Sequence, residues 1–210
     1  MQPTNSSAVR VRRAEPRDLK AVLRLLKELD AFHVGLEPRM FRKFTGPARS
    51  EPWLLERFTQ PDEVCFVAQR DKNIVGFVWA KAQPAPPLPV FVPERHLLIA
   101  DLIVTEAQRR AGIGQKLLSR ALAWGKRRGL TRVQLSAFTE NRAACALYEK
   151  LGFRPLSLVL QGDIEALQTG LSHAPGHLSS QRSSNLYPDD GTDRMAGRAR
   201  PAISDPALEK

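Results

Sequence analysis

The chain has 210 residues, 42% hydrophobic and 26% charged, with a formal net charge of +10 at pH 7. Those proportions suit an ordinary globular protein with one well-buried domain and exclude a collagen-like, wholly disordered or disulfide-miniprotein composition. The longest apolar run, Leu97 to Val104, is broken by Asp101 and falls far short of the roughly 20 residues that a membrane helix needs.

Met1 to Arg10 lacks the apolar core of a signal peptide, so a cytoplasmic address is expected and no membrane partner. The two cysteines, Cys65 and Cys145, each lie in an apolar segment, as reduced buried thiols do, and no metal site is expected. Positive charge is concentrated in residues 1–160, which carry 27 basic side chains against 15 acidic, whereas residues 161–210 carry five against seven. A basic domain favours an anionic partner such as a phosphate-bearing ligand or a nucleic acid, although a plain solvated surface has the same composition.

In chain order, Val9 and Val11 alternate with arginines as a short strand, and Pro16-Arg17-Asp18 opens a helix with Leu19, Val22, Leu26 and Leu29 on one face. Residues 34–62 read as irregular. Val64 to Ala68 and Ile74 to Trp79 flank Asp71-Lys72-Asn73 and form a hairpin. A proline-rich loop, 84–93, leads into His96 to Val104, whose near-continuous apolar character suits a central strand. Gln108 to Gly114 turns into a helix with Ile113, Leu117, Ala121 and Trp124 in one stripe, stopped by Gly129. Val133, Leu135 and Ala137 make another strand, Asn141 to Leu151 another helix, and Leu156, Leu158 and Leu160 a closing strand. The class is α/β with a mixed sheet. Three segments are expected: a flexible N-terminus over 1–8, a domain over 9–160, and a tail over 161–210. Only 14% of the tail is Leu, Ile, Val or Phe, so it is expected to be disordered, with a short helix near Ile164 to Leu171.

The turn Arg109-Arg110-Ala111-Gly112-Ile113-Gly114 carries the most chemical information. Its two glycines let backbone approach a ligand closely, and the first N–H groups of the following helix have no internal partners. A Gly-x-Gly also arises by chance about once in a chain of this length, and two glycines equally serve a tight strand-to-helix turn. Spacing separates the phosphate loops. A dinucleotide fingerprint requires a third Gly or Ala where Leu117 stands, and the Gly-Lys-Ser or Gly-Lys-Thr of a nucleotide P-loop is missing.

With Arg109-x-x-Gly112-x-Gly114 after the strand Ile99 to Val104, and Asn141-x-x-Ala144-x-x-Leu147-Tyr148-x-x-x-Gly152-Phe153 downstream, residues 9–160 resemble the GNAT superfamily of N-acetyltransferases. The resemblance implies a mixed, mostly antiparallel twisted sheet flanked by helices, and acetyl-CoA as acyl donor. It places the donor's pyrophosphate on Arg109, Arg110, Ala111, Gly112, Ile113 and Gly114. It also implies a bulged strand edge at Leu102, Ile103 and Val104 that pairs with the pantetheine arm and offers an N–H to the thioester oxygen, a preorganised donor of the kind that contributes most to acyl transfer. Asn141 would steady the arm. Tyr148 would protonate the leaving thiolate, which a phenol that ionises near pH 10 can do at neutral pH. The same tyrosine shares an apolar helix face with Ala144, Leu147 and Leu151, where an aromatic ring more often serves the core.

The attacking amine must lose a proton, and the base is less plainly written. Many relatives place a glutamate in the strand before the bulge. Here Ala100 stands near that position and Asp101 is the neighbouring carboxylate, so Asp101 is the first candidate. His33, after the first helix, is the second, because imidazole exchanges protons near neutral pH. The acceptor would lie among residues 32–60 and 84–93, the irregular segments. The expected reaction is direct acetyl transfer to a primary amine of a small molecule or peptide by a monomer or homodimer. The alternatives are acetylation of a protein N-terminus or lysine, a non-catalytic CoA-binding module, and a nucleic-acid binder using Arg12, Arg13, Arg127, Arg128 and Arg132, the last disfavoured.

Overall fold

The computed structural model describes residues 8–46 and 48–173. Its contacts divide the chain into two compact units, Met1–Arg154 and Pro155–Lys210. The first unit holds a five-stranded sheet in sequential order: β1 (Arg10–Arg13), β2 (Glu63–Arg70), β3 (Asn73–Gln83), β4 (His96–Val104) and β5 (Val133–Leu135). The first four strands are antiparallel, and β5 runs parallel to β4.

Both faces of the middle strands are covered, which explains their near-continuous apolar sequences. On one face α3 (Ile113–Arg127) lays Ile113, Leu117, Leu118, Ala121 and Trp124 against Val64, Phe66, Val78, Leu97 and Ile99. This is the stripe read from the sequence. On the other face α1 (Leu19–Leu36) and α2 (Glu51–Thr59) bury Val22, Leu25, Leu26, Leu54 and Phe58 against Cys65, Val67, Phe77 and Ile103. Gly76 on β3 lets α3 come this close: a Cβ there would stand 3.0 Å from Leu117 Cδ1 and 3.1 Å from the Ile103 carbonyl oxygen.

Two bulges change which face the strands present. In the β2–β3 ladder Ala68 pairs with Gly76 and Gln69 with Ile74, leaving Val75 over; in the β3–β4 ladder Trp79 pairs with Asp101 and Ala80 with Ile99, leaving Ala100 over. A strand alternates its side chains with period two, so one extra residue reverses the alternation beyond it. Leu97 and Ile99 therefore belong to the α3-side core, whereas Ile103 belongs to the α1 and α2 side. Asp101, in step with Ile103, is carried to that second face.

Helix α2 falls inside the segment read as irregular. Its signal was local: Ser50 accepts the N–H of Trp53 at 3.3 Å as an N-cap, and Pro52 sits in the first turn. The helix α4 (Arg142–Lys150) is capped by Asn141, whose side chain accepts the Ala144 N–H at 3.2 Å. Ala137 lies beyond the end of β5.

In the second unit α5 (Ile164–His173) matches the expected short helix. The strand expected at Leu156, Leu158 and Leu160 is not formed; these side chains are 79%, 48% and 81% exposed. Alternation specifies a strand only where a neighbouring strand receives it, and none does so here among the described residues. The disorder expected further along the tail, and the flexible start over 1–8 apart from residue 8, lie outside the described residues. No helix among the described residues is long and apolar enough to cross a membrane.

Where β1 passes into α1, Arg12 donates to both oxygens of buried Asp18 at 2.6 and 2.7 Å, and the Glu15 N–H adds a third donor at 2.9 Å. Burial works against the Asp18 carboxylate, but these donors outweigh it and hold its pKa below the ordinary value. Stability from this pair is therefore full above the ordinary carboxylate pKa and is lost as pH falls through the lowered folded value. Asp18→Ala leaves the half-buried Arg12 charge without its ion-pair partner and is expected to cost about 3 kcal/mol, measured by urea denaturation at pH 7.

Candidate active site

At the end of β4 the chain passes Thr105, a 3-10 turn over Glu106–Gln108, and then the turn into α3. Arg110 and Gly112 both take left-handed conformations, with φ of 66° and 72°. Successive N–H groups in such a turn converge into a concave anion site, and the positive end of the helix dipole reinforces it. The Arg109 N–H is already given to the Glu106 carbonyl oxygen, and the first N–H inside α3 with an acceptor is that of Lys116, to Gly112 O at 3.1 Å. From Arg110 through Gln115, no backbone N–H finds an acceptor among the described residues. Gly112 has open space around it, its nearest neighbour to an added Cβ being Gln115 Oε1 at 3.9 Å. Its positive φ, rather than crowding, calls for glycine there.

Arg109 is placed differently from the expectation that it faces phosphate. Its Nε donates to Val104 O at 3.1 Å, its Nη2 lies 3.6 Å from Glu28, and its guanidinium sits 5.3 Å from the Phe32 ring centre. Glu28 on α1 also accepts the Thr105 hydroxyl at 2.9 Å and the Glu106 N–H at 2.8 Å, while Arg70 on β2 donates to Gln108. The segment before the open N–H groups is thus tied to α1 and β2. Glu28 and Arg70 carry no signal in the sequence, since each is one charged residue among many until the fold brings the loop to it.

β5 pairs with β4 only at Leu97, Leu98 and Ile99. From Ala100 to Val104 that side of β4 has no strand partner among the described residues. The bulge that the resemblance put at Leu102 to Val104 therefore lies at Ala100, where the two strands part. Helix α4 approaches the start of α3: Leu147 Cδ2 and Val104 Cγ2 both lie 3.9 Å from the Cβ position of Gly114. Tyr148, next to Leu147, packs its ring 5.6 Å from that of Phe153, and its hydroxyl makes no hydrogen bond with a described residue. Burial, with a smaller contribution from Cys145, raises its pKa, so the phenol stays protonated at neutral pH. The Cys145 thiol contacts the Phe138 carbonyl oxygen at 3.5 Å, which ties α4 to the loop after β5.

The two candidate bases, on different elements, come together. Asp101 lies within electrostatic reach of His33 and Asp30 on α1 and of Arg49. Burial raises the Asp101 pKa, with Asp30 adding to the effect and Arg49 and His33 opposing it. Burial lowers the His33 pKa, against the pull of Asp30 and Asp101. His33 stacks on Phe41 at 5.1 Å and meets Phe138 at 5.5 Å, so the end of α1, the following loop and the loop after β5 form one wall. The sequence offers both candidate bases but not Trp79, whose place depends on strand register, or Phe138, which packing against His33 and Phe41 brings in from the loop after β5.

A family model described as the acetyltransferase (GNAT) family matches residues 29–153. The chain belongs to that family. It is 35% identical over 108 residues to the mycothiol acetyltransferase of Jonesia denitrificans, covering 50% of this chain and 30% of that one. It is also 33% identical over 91 residues to human N-acetyltransferase 8, covering 43% and 38%. The chain therefore spans well under half the length of these relatives. Among solved structures, a mutant BH1408 protein of Bacillus halodurans superposes with a TM-score of 0.70 at 22% identity, covering 74% of this chain and 99% of that one. The aminoglycoside acetyltransferase AAC(6')-Iy, bound to a bisubstrate analogue, gives 0.57 at 17% identity, covering 75% and 98%. At these identities the structural likeness establishes the fold: the GNAT arrangement of a mixed sheet with flanking helices.

The juxtaposition of Asp101 and His33 has a direct readout. In an NMR titration His33 should titrate below an ordinary histidine. Asp101→Asn should lower its pKa further, because the lost carboxylate charge had favoured the imidazolium. An unchanged His33 titration in that variant would separate the two groups.

Proposed function

We propose that this GNAT domain transfers an acetyl group from acetyl-CoA to a primary amine of a small molecule or peptide, by direct attack in a ternary complex. The observation that carries the reading is the run of N–H groups from Arg110 to Gln115 with no acceptor among the described residues, set at the start of a 15-residue helix beside the half of β4 that has no strand partner among them. A doubly charged pyrophosphate is the ligand chemistry such a site receives. The N–H groups of Arg110, Ala111, Gly112, Ile113 and Gly114 would hold it, with exposed Arg110 adding charge, while Arg109 braces the turn from behind. The free edge at Leu102, Ile103 and Val104 would pair with the amide-bearing pantetheine arm and donate to the thioester oxygen. Asn141 spends its side-chain oxygen on capping α4, which leaves its amide N–H groups for the arm.

In the reaction the amine arrives as an ammonium and gives one proton to Asp101, directly or through His33 and water. Its lone pair then attacks the thioester carbonyl carbon, forming the C–N bond and an oxyanion held by the β4 edge. As the oxyanion collapses, the C–S bond breaks and the thiolate takes a proton from Tyr148. The nitrogen loses its second proton, which restores the phenol through solvent. The net products are an amide, CoA and one proton. A protonated Tyr148 and an Asp101 with a raised pKa suit these roles, acid and base respectively. The cytoplasm, where acetyl-CoA is at hand, is the proposed setting.

Acetyl-CoA should raise the melting temperature by ligand linkage, and Gly112→Trp should abolish that shift while the protein still unfolds cooperatively. Tyr148→Phe should lower kcat about a hundredfold with the KM for acetyl-CoA nearly unchanged, read from free-thiol release. Unaltered turnover would remove Tyr148 as the acid.

A further inference from the structure

The acceptor side of this site has a composition of its own. Asp101 makes no hydrogen bond with a described residue, and the nearby cation is already committed: Arg49 Nη1 lies 2.8 Å from both oxygens of Asp30. One half-buried carboxylate is therefore left without a counter-cation of its own, and an incomplete ion pair below the protein surface is costly unless a ligand completes it. Around it the walls are aromatic. Trp79 is the register partner of Asp101 on β3 and lies on the same face of the sheet, so the two side chains are cross-strand neighbours. Trp53 on α2 meets Trp79 edge to face at 5.5 Å. On the α1 side His33, Phe41 and Phe138 lie 5.1–5.5 Å from one another. All five rings are half-buried, neither sealed in the core nor spread on the surface. Lys81 and Arg57 already lie over the indoles of Trp79 and Trp53, at 5.8 and 5.7 Å, so those rings suit an apolar group, and the seat for a ligand cation falls to Asp101.

We infer that the acceptor is a monoamine on an aromatic or similarly flat apolar arm, its ammonium seated against Asp101 and its arm between Trp79 and Trp53 on one side and the His33, Phe41 and Phe138 wall on the other. The inference rests on the acetyltransferase reading above and narrows it. An aminosugar or a polyamine would need several polar acceptors spaced along its length. This wall offers one uncommitted carboxylate amid rings, and a hydroxyl-rich ligand would lose hydration there without recovering hydrogen bonds.

The test uses the full chain with acetyl-CoA and four acceptors: 2-phenylethylamine, ethylamine, spermidine and an aminoglycoside, followed by thiol release. The expected kcat/KM for 2-phenylethylamine exceeds that of each other amine by about a hundredfold. Trp79→Ala should raise its KM about tenfold while the KM for acetyl-CoA stays the same. If Trp79→Ala does not fold, Phe41→Ala, in the loop after α1, should give the same KM effect. A preference for the aminoglycoside, spermidine or ethylamine would overturn the inference, as would a KM for 2-phenylethylamine that neither variant moves. Acetyl-CoA binding, read as a thermal shift, distinguishes the two levels. A wild-type protein that binds acetyl-CoA but turns over no arylalkylamine refutes this inference alone, whereas one that does not bind acetyl-CoA refutes the transferase reading and this inference with it.

Discussion

Backbone N–H groups that find no acceptor among the described residues hold the candidate site together. A helix start always leaves a few such donors, but here the left-handed turns at Arg110 and Gly112 extend the run backwards, so that donors from Arg110 to Gln115 gather at one place. Their position is not free to drift. The buried stripe of α3 fixes the helix on the sheet, and Glu28, Arg70 and Arg109 fix the preceding loop to α1, β2 and the end of β4. A flexible loop would have to lose entropy each time it gathered such donors around an anion, whereas in the proposed function the donors here would meet the pyrophosphate already ordered.

The bulge at Ala100 sets the strand edge and the candidate base of the proposed acceptor side. It marks the point where β5 leaves β4, so backbone edge becomes available to a ligand, and it reverses the alternation so that Asp101 turns towards α1 and α2 rather than α3. One inserted residue thus opens the donor edge and carries a carboxylate to the face where His33, Asp30 and Arg49 wait. Helix α4 closes the remaining side. Its cap Asn141, its Leu147 contact with the α3 start and its Tyr148 are set by the same short motif, which is why that motif is so compact in sequence.

Elements with strong local signals were legible in the chain alone. The hairpin around Asp71 and Lys72, the apolar β4, the α3 stripe and the glycine turn all follow from periodicity and turn chemistry, and the candidate site residues Gly112, Asn141 and Tyr148 from a family resemblance. Features that depend on register were not. Strict alternation along β4 would put Asp101 on the same face as Leu97 and Ile99, and only the ladder shows the parity change. The family resemblance puts Arg109 in the turn that would hold the pyrophosphate, yet its guanidinium is held by Val104 and Glu28, a contact created by tertiary packing. Leu156, Leu158 and Leu160 alternate as a strand does, but alternation states only which side would be apolar and cannot supply a partner.

Amide hydrogen exchange, measured residue by residue with and without acetyl-CoA, reads these donors one at a time. The donors from Arg110 to Gln115 should exchange quickly in the free protein, because no described residue accepts from them, and should gain more protection than any other group when acetyl-CoA is added. Fast exchange at these positions in a protein saturated with acetyl-CoA, with protection arising elsewhere, would contradict the account.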